Sequence, residues 1–544
     1  MVYCGKPSPG CARCRSRRLK CDEERPSCSQ CMRAETECPG YRNTLDLRFR
    51  DQSQEVIGKA RRQHHKRASE SAAAAAAAAE RRGKRPPDSH SKSSRPEASL
   101  AYPEDELARG FMCANYMTPG TTSGSLTYMS SLAKDPQNLA VNAAFTAVGL
   151  AVMSNIRMSP QLLLAARREY TTALARTNYA LSDAVLSKGD DTLAAVVLLG
   201  MFEVTTCTDG SFFDRWMKHM DGAAKLIELR GPEQLERPEG LHLFTQLRAQ
   251  INISRIYQER ASPPIIAYLT TQARKYRTAE DKVYDEFGTV GTKLADFCAA
   301  IKDNTITQPT EILRLALNLD AELTSIAAVA PPTWHYQTIP VPRADAEEEN
   351  GSAPLFTPDI WGEVYHVYTN INIGSSWNHY RSALLMVHEL IIDTVKELEG
   401  QPFYAYMHAE YRSLRSRSEQ LSRQLVDDII ASVPFHLGTA AADAILTHAS
   451  SSSSGTPANS IEGHVSCASG MALVWPLLIA ANSGFASREL RTWIIAVLEK
   501  IGYSMGLNQA LAMARLLHEG MQSRAWLEPG YTNCNSPAEM ESGY

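Results

Sequence analysis

Residues 11–38 read CARCRSRRLKCDEERPSCSQCMRAETEC, with cysteines spaced Cys11-x2-Cys14-x6-Cys21-x6-Cys28-x2-Cys31-x6-Cys38. The stretch is two copies of C-x2-C-x6-C joined by a six-residue loop. Each C-x2-C puts two sulfurs at the start of a short helix, close enough to share one metal, and the third cysteine closes the site after that helix. Thiolates are soft ligands, and zinc takes four of them in a tetrahedron. Two separate tetrahedral sites need eight thiolates and six are present, so two zincs are both four-coordinate only if two sulfurs bridge. The spacing therefore predicts a binuclear cluster with two Zn2+ ions as cofactor. A module this small has little apolar core, so metal must supply the folding energy, roughly 10–16 kcal/mol for structural zinc at neutral pH.

Between Cys14 and Cys21 lie Arg15, Ser16, Arg17, Arg18, Leu19 and Lys20. A helix here turns basic side chains toward a major groove, where arginine suits bidentate contact with guanine O6 and N7. Leu19 reads as a packing residue. The second repeat, with Ser29, Gln30, Met32, Arg33 and Ala34, is poorer in charge and reads as a backing helix. The charge of the whole chain is split. Residues 1–100 hold 22 Lys/Arg against 12 Asp/Glu, a net of +10, and the rest holds 34 against 48, a net of −14. A basic head on an acidic body points to a polyanion partner, although a solvated tail has the same balance.

A chain of 544 residues is too long for one core. Its 44% hydrophobic and 21% charged content is ordinary for a globular protein. No apolar h-region follows Met1. The longest apolar stretches, Leu193–Phe202 and Met471–Ala481, fall short of the roughly 20 residues of a membrane span, so no membrane partner is expected. An intracellular, reducing setting follows as the expectation, and clustered cysteines there favour metal over disulfides. The outlying Cys113, Cys207, Cys298, Cys467 and Cys534 read mostly as core thiols.

The expected fold class is a small metal-stabilised module, a disordered basic linker and an all-α domain, with boundaries at 1–50, 51–100 and 101–525 and a flexible tail over 526–544. Residues 51–100 carry an eight-alanine run at 72–79 and two basic clusters, Arg61, Arg62, Lys66 and Arg67, then Arg81, Arg82, Lys84 and Arg85. They lack aromatic residues and cannot bury a core. Such clusters are accessible to import receptors, so the expected location is the nucleus. Beyond residue 100, helical periodicity predicts helices over Gln161–Leu181, Phe213–Arg230, Arg491–Leu498 and Ala510–Leu517. Leu162, Leu163, Ala166, Tyr170, Ala173 and Leu174 fall near helical spacing in the first of these. No run of alternating strand residues stands out, and the polar stretches 341–353 and 449–464 read as loops.

The six cysteines, the basic run after Cys14 and the loop proline Pro26 resemble the fungal Zn2Cys6 binuclear cluster family. The resemblance implies that Cys11 and Cys28 bridge the metals. It implies double-stranded DNA as the partner, with Arg17 and Arg18 facing the bases of a CGG triplet and Arg15 and Lys20 contacting phosphate. It also implies transcription regulation of RNA polymerase II genes, often a metabolic or secondary-metabolite set. Cys4 lies outside the pattern. Family members often dimerise through a coiled coil next to the cluster, but residues 42–100 show no heptads. A homodimer must then form through the helical body, or the protein binds as a monomer. The segments Trp216–Gly231, Met471–Pro476 and Ile501–Ala510 resemble the helical regulatory region of such factors. Trp216 and His219 read as packing residues.

The enzyme reading finds no support in motifs. His388-Glu389 lacks the second histidine of H-E-x-x-H, the glycines of Gly288–Lys293 are wrongly spaced for a phosphate loop, and no G-x-S-x-G occurs. A repressor or architectural protein without activating function is the alternative, because no dense acidic-hydrophobic tract separates activator from repressor.

Overall fold

Cys11 and Cys28 each stand in extended backbone just before a helix, and the turn of chain that follows is too short to be stable alone. These helices are α1 (Ala12–Ser16) and α2 (Ser29–Met32). A computed structural model describes residues 10–17, 19–22, 24, 26–40, 103–117, 129–207, 212–278, 281–341, 359–438 and 466–520. Arg18, both basic clusters of 51–100, the tail, and nearly all of 341–353 and 449–464 lie outside the described residues. Contacts divide the chain into two units, Met1–Ser99 and Leu100–Tyr544.

Among the described residues of the first unit, four cysteines form the buried apolar cluster: Cys11, Cys14, Cys28 and Cys31, with Cys21 and Cys38 packed against it. The Ala12 N–H donates to the Gly40 carbonyl, tying the start of the module to its end. Asp22 accepts the Ser29 N–H at the first turn of α2. Hydrogen bonding from the Ser29 side chain, and then from its N–H, holds the Asp22 carboxyl below the usual range. Leu19 is 46% exposed and not packed as expected, because the buried apolar cluster among the described residues of the module is cysteine alone.

The second unit is helical: α3 (Glu104–Tyr116), α4 (Ser130–Lys134), α5 (Leu139–Arg157), α6 (Pro160–Ser182), α7 (Asp190–Thr206), α8 (Phe212–Arg230), α9 (Pro238–Gln258), α10 (Pro264–Ala273), α11 (Asp281–Lys302), α12 (Pro309–Ala328), α13 (Ile371–Glu399), α14 (His408–Ala431), α15 (Val433–His436), α16 (Cys467–Asn482), α17 (Arg488–Met505) and α18 (Asn508–His518). Local chemistry sets the starts. Proline opens α6, α9, α10 and α12, where its missing N–H costs nothing. Ser159, Asn370, Ser466 and Ser487 cap α6, α13, α16 and α17 through side-chain oxygens. On α6, Leu162, Ala166 and Ala173 are buried as the periodicity predicts, but Leu174 is 39% exposed.

Helix α5 is the centre of its end of the core. Ala143 to Ser154 are buried without a break, under α3, α6, α7 and α17. By length and composition α5 could cross a membrane, a property the sequence reading above did not find. In the fold, 78% of its most apolar window is covered by protein. Gly506 ends α17 at φ +69°, where a Cβ would lie 2.7 Å from the Val152 carbonyl oxygen. Asn155 donates to the carbonyls of Thr205 and Gly506, both at 2.9 Å, so the two ends of the unit meet here. Cys207, Cys298 and Cys467 lie in the core and Cys113 packs against it.

Among the described residues one feature departs from all-α. Strands β1 (Gln337–Pro340) and β2 (Val364–Val367) pair antiparallel, Gln337 opposite Val367 and Pro340 opposite Val364. Beside them, Arg381 of α13 is buried in an aromatic surround, its guanidinium carbon 5.0 Å from the Tyr336 ring centre and 5.8 Å from that of Tyr368.

Candidate metal centre and DNA-binding module

The sulfurs of Cys11, Cys14, Cys21 and Cys28 lie within 4.8 Å of one another, and so do those of Cys11, Cys28, Cys31 and Cys38. Cys11 and Cys28 belong to both sets. The separations are 3.7 Å for Cys11–Cys28 and Cys14–Cys28, and 3.8 Å for Cys11–Cys31. A tetrahedron with Zn–S bonds of about 2.3 Å has edges of about 3.8 Å, so the sulfurs already stand at zinc spacing.

The electrostatics also call for cations. The Cys14 N–H, donating to the Cys11 sulfur at 3.4 Å, pulls the Cys11 thiol down to about 6. Burial pushes Cys14 up to about 12 and raises Cys28 and Cys31. Several thiolates this close are mutually unfavourable until a divalent ion offsets them, and a bound ion inverts that preference.

The basic residues divide into two groups. Arg17 and Lys20 are exposed. Arg15 is half-buried and its Nε donates to the Cys11 carbonyl at 3.5 Å. Arg13, which sequence reasoning passed over, reaches across to the second repeat, where Nη1 meets the Gln30 carbonyl at 3.3 Å and the Cys31 sulfur at 3.9 Å. No spacing rule marks an x position inside C-x2-C, so this contact is visible only once the repeats are folded together.

Residues 9–48 match the fungal Zn(2)-Cys(6) binuclear cluster domain, and residues 129–256 match the fungal specific transcription factor domain. The two matched stretches are similar to the domains of Zn2Cys6 fungal transcription factors. The matched cluster domain binds two zinc ions, and the six cysteines are placed for them. A curated protein of Emericella nidulans, described as uncharacterized, is 31% identical over 83 residues, which are 15% of this chain and 17% of that protein. No solved structure matches the chain.

The matched region 129–256 takes in Trp216–Gly231 but not Met471–Pro476 or Ile501–Ala510. Trp216 packs against the core, and His219 pairs with Glu203 at 3.3 Å over Gly200, where a Cβ would meet it at 2.9 Å. The two matched domains are transcription-factor domains, which are not enzymes. The residues tested for catalytic motifs have structural partners. His388 meets Asp320 at 3.2 Å, Glu389 accepts the Gly484 N–H, and Gly288 lies inside α11 against Arg248.

Proposed function

We propose that this factor is a nuclear, sequence-specific regulator of RNA polymerase II genes that reads CGG-type triplets. Cys11 and Cys28, which belong to both four-sulfur sets, would be the ligands shared by the two zincs. Cys14 and Cys21 complete one site, and Cys31 and Cys38 the other. Arg17 and Arg18 contact bases, and Arg15 and Lys20 contact phosphates. The observation that carries this reading is the two overlapping four-sulfur sets beside the exposed Arg17 and Lys20. Import rests on the clusters Arg61–Arg67 and Arg81–Arg85. The target genes are a metabolic or secondary-metabolite set, and any homodimer forms through the helical unit. The alternative is a repressor or architectural protein.

Binding titrations of the zinc-loaded full chain on CGG-containing and scrambled duplexes test the readout. Tighter binding to CGG sites by about 10³-fold or more is expected of specific recognition. Equal affinity for both sinks it. A reporter fusion of residues 101–544 to a neutral DNA-binding domain separates activation from repression. Neutralising both linker clusters should shift a tagged chain at least partly to the cytoplasm.

A further inference from the structure

Arg13 lies in the sequence between two ligands of one four-sulfur set, yet its guanidinium reaches the other set. Nη1 stands 3.9 Å from the Cys31 sulfur and 3.3 Å from the Gln30 carbonyl, 18 and 17 residues along the chain. Cys31 is fully buried and belongs to only one of the two sets. We propose that Arg13 is a positioning residue for the second zinc site: it neutralises the terminal Cys31 thiolate and latches the two repeats together. This rests on the two-zinc reading above, in which Cys31 and Cys38 are the terminal ligands of that site.

The physical basis is charge. Two Zn2+ ions and six thiolates leave the cluster at −2, and bridging sulfurs share their charge between two metals while terminal ones do not. An N–H donor aimed at a terminal thiolate removes part of that excess and slows its loss to protons or chelators. Nη1 of Arg13 can serve a carbonyl and a sulfur at once, because it carries two N–H donors. No other apolar core holds the second repeat against the first among the described residues, since the buried cluster of the module is made of cysteine alone. A contact from Arg13 to Gln30 and Cys31 therefore bears on the placement of α2 as well as on the metal.

The test uses the full chain as Arg13→Gln and Arg13→Lys. Zinc release to a chromophoric chelator is followed by stopped flow, and the cadmium-substituted protein is examined by 113Cd NMR. Arg13→Gln should release one of its two zincs about 10–100-fold faster, the size of effect typical of lost outer partners, and leave the other near the wild-type rate. One cadmium resonance should move and the other stay. Arg13→Lys should fall between, since an ammonium keeps the charge and the donors but sits on a shorter stem and is more strongly hydrated than a guanidinium. Unchanged release with both resonances in place overturns the proposal. So does equal acceleration of both ions with both resonances shifted, which marks a general loosening of the module. A wild-type chain that holds one zinc or shows one cadmium resonance instead defeats the two-zinc reading itself, a different result.

Discussion

At Arg17, Arg18 and Lys20 the side chains belong to one basic run, but their loss has different consequences. Arg17→Ala or Arg18→Ala should cost about 1–3 kcal/mol on a CGG site and shrink the ratio of cognate to scrambled affinity. Lys20→Ala should weaken both duplexes alike and lower the salt slope by about one. Equal losses on both duplexes for both arginines would mean that they act only as charge. In the helical unit, buried histidines make a second residue-level prediction. Burial, with Arg381 beside it, pushes His366 down to about 3, and burial does the same to His436. Their nearest polar partners are Tyr368 for His366 and Ser469 for His436, and both histidines are held neutral. Between pH 3 and 6.5 the unfolded chain then binds more protons than the folded one, so stability rises with pH across that window. The contribution is complete above about 6.5 and is lost as pH falls toward about 3, by up to about 1.4 kcal/mol per pH unit for each histidine. Urea unfolding followed by helical circular dichroism at several pH values in that window checks it. His436→Asn should flatten the slope, and an unchanged slope would show that His436 is protonated in the folded state.

Helix crossings and buried ion pairs set the next scale. At Gly149 of α5 a Cβ would lie 2.5 Å from the Ala108 carbonyl oxygen of α3, and backbone cannot move aside cheaply. At Gly222 of α8 a Cβ meets nothing within 4 Å. Gly149→Ala should therefore cost about 1–3 kcal/mol, whereas Gly222→Ala should gain about 0.5–1 kcal/mol from helix propensity. Thermal unfolding of the two variants should move in opposite directions. Asp285 of α11 is fully buried between Arg248 of α9 at 2.9 Å and Arg277 at 3.2 Å. Asp285→Ala strands two guanidinium groups and should cost about 3–5 kcal/mol. What the sequence made legible at this scale follows from physics. The amphipathic pattern from Phe213 to Arg230 matches a helix of Phe212–Arg230, and Ala510–Leu517 lies inside Asn508–His518. The cysteine ligand pattern is local and therefore readable. The β1–β2 pair was not, because four-residue strands, one ending in proline, carry too little alternation to register. Helix α5 escaped notice because Asn142, Thr146 and Ser154 interrupt its apolar run in sequence, although Thr146 and Ser154 are buried in the fold. Arg13 and Asp285 depend on partners 8 to 37 residues away, which no window on the chain displays.

For the whole molecule, the two units differ in what holds them: sulfur and metal in the first, a continuous apolar core in the second. A strong zinc chelator should therefore abolish DNA binding while most far-ultraviolet helical signal survives. Loss of helicity in parallel with zinc would show that the second unit depends on the metal. The long-range closure over α5 has a consequence during synthesis. Asn155 waits for Gly506, 351 residues further on, and at about 5–20 residues per second the ribosome needs roughly 20–70 s to deliver it. Throughout that interval the nascent chain displays the Val152–Asn155 side of α5, on a helix apolar enough to pass for a membrane anchor. Translation speed and holdase capacity thus bear directly on the yield of active factor. A chain stopped before residue 488 never receives its cover, and pelleting after lysis should find it insoluble or chaperone-bound while the full-length chain stays in the supernatant.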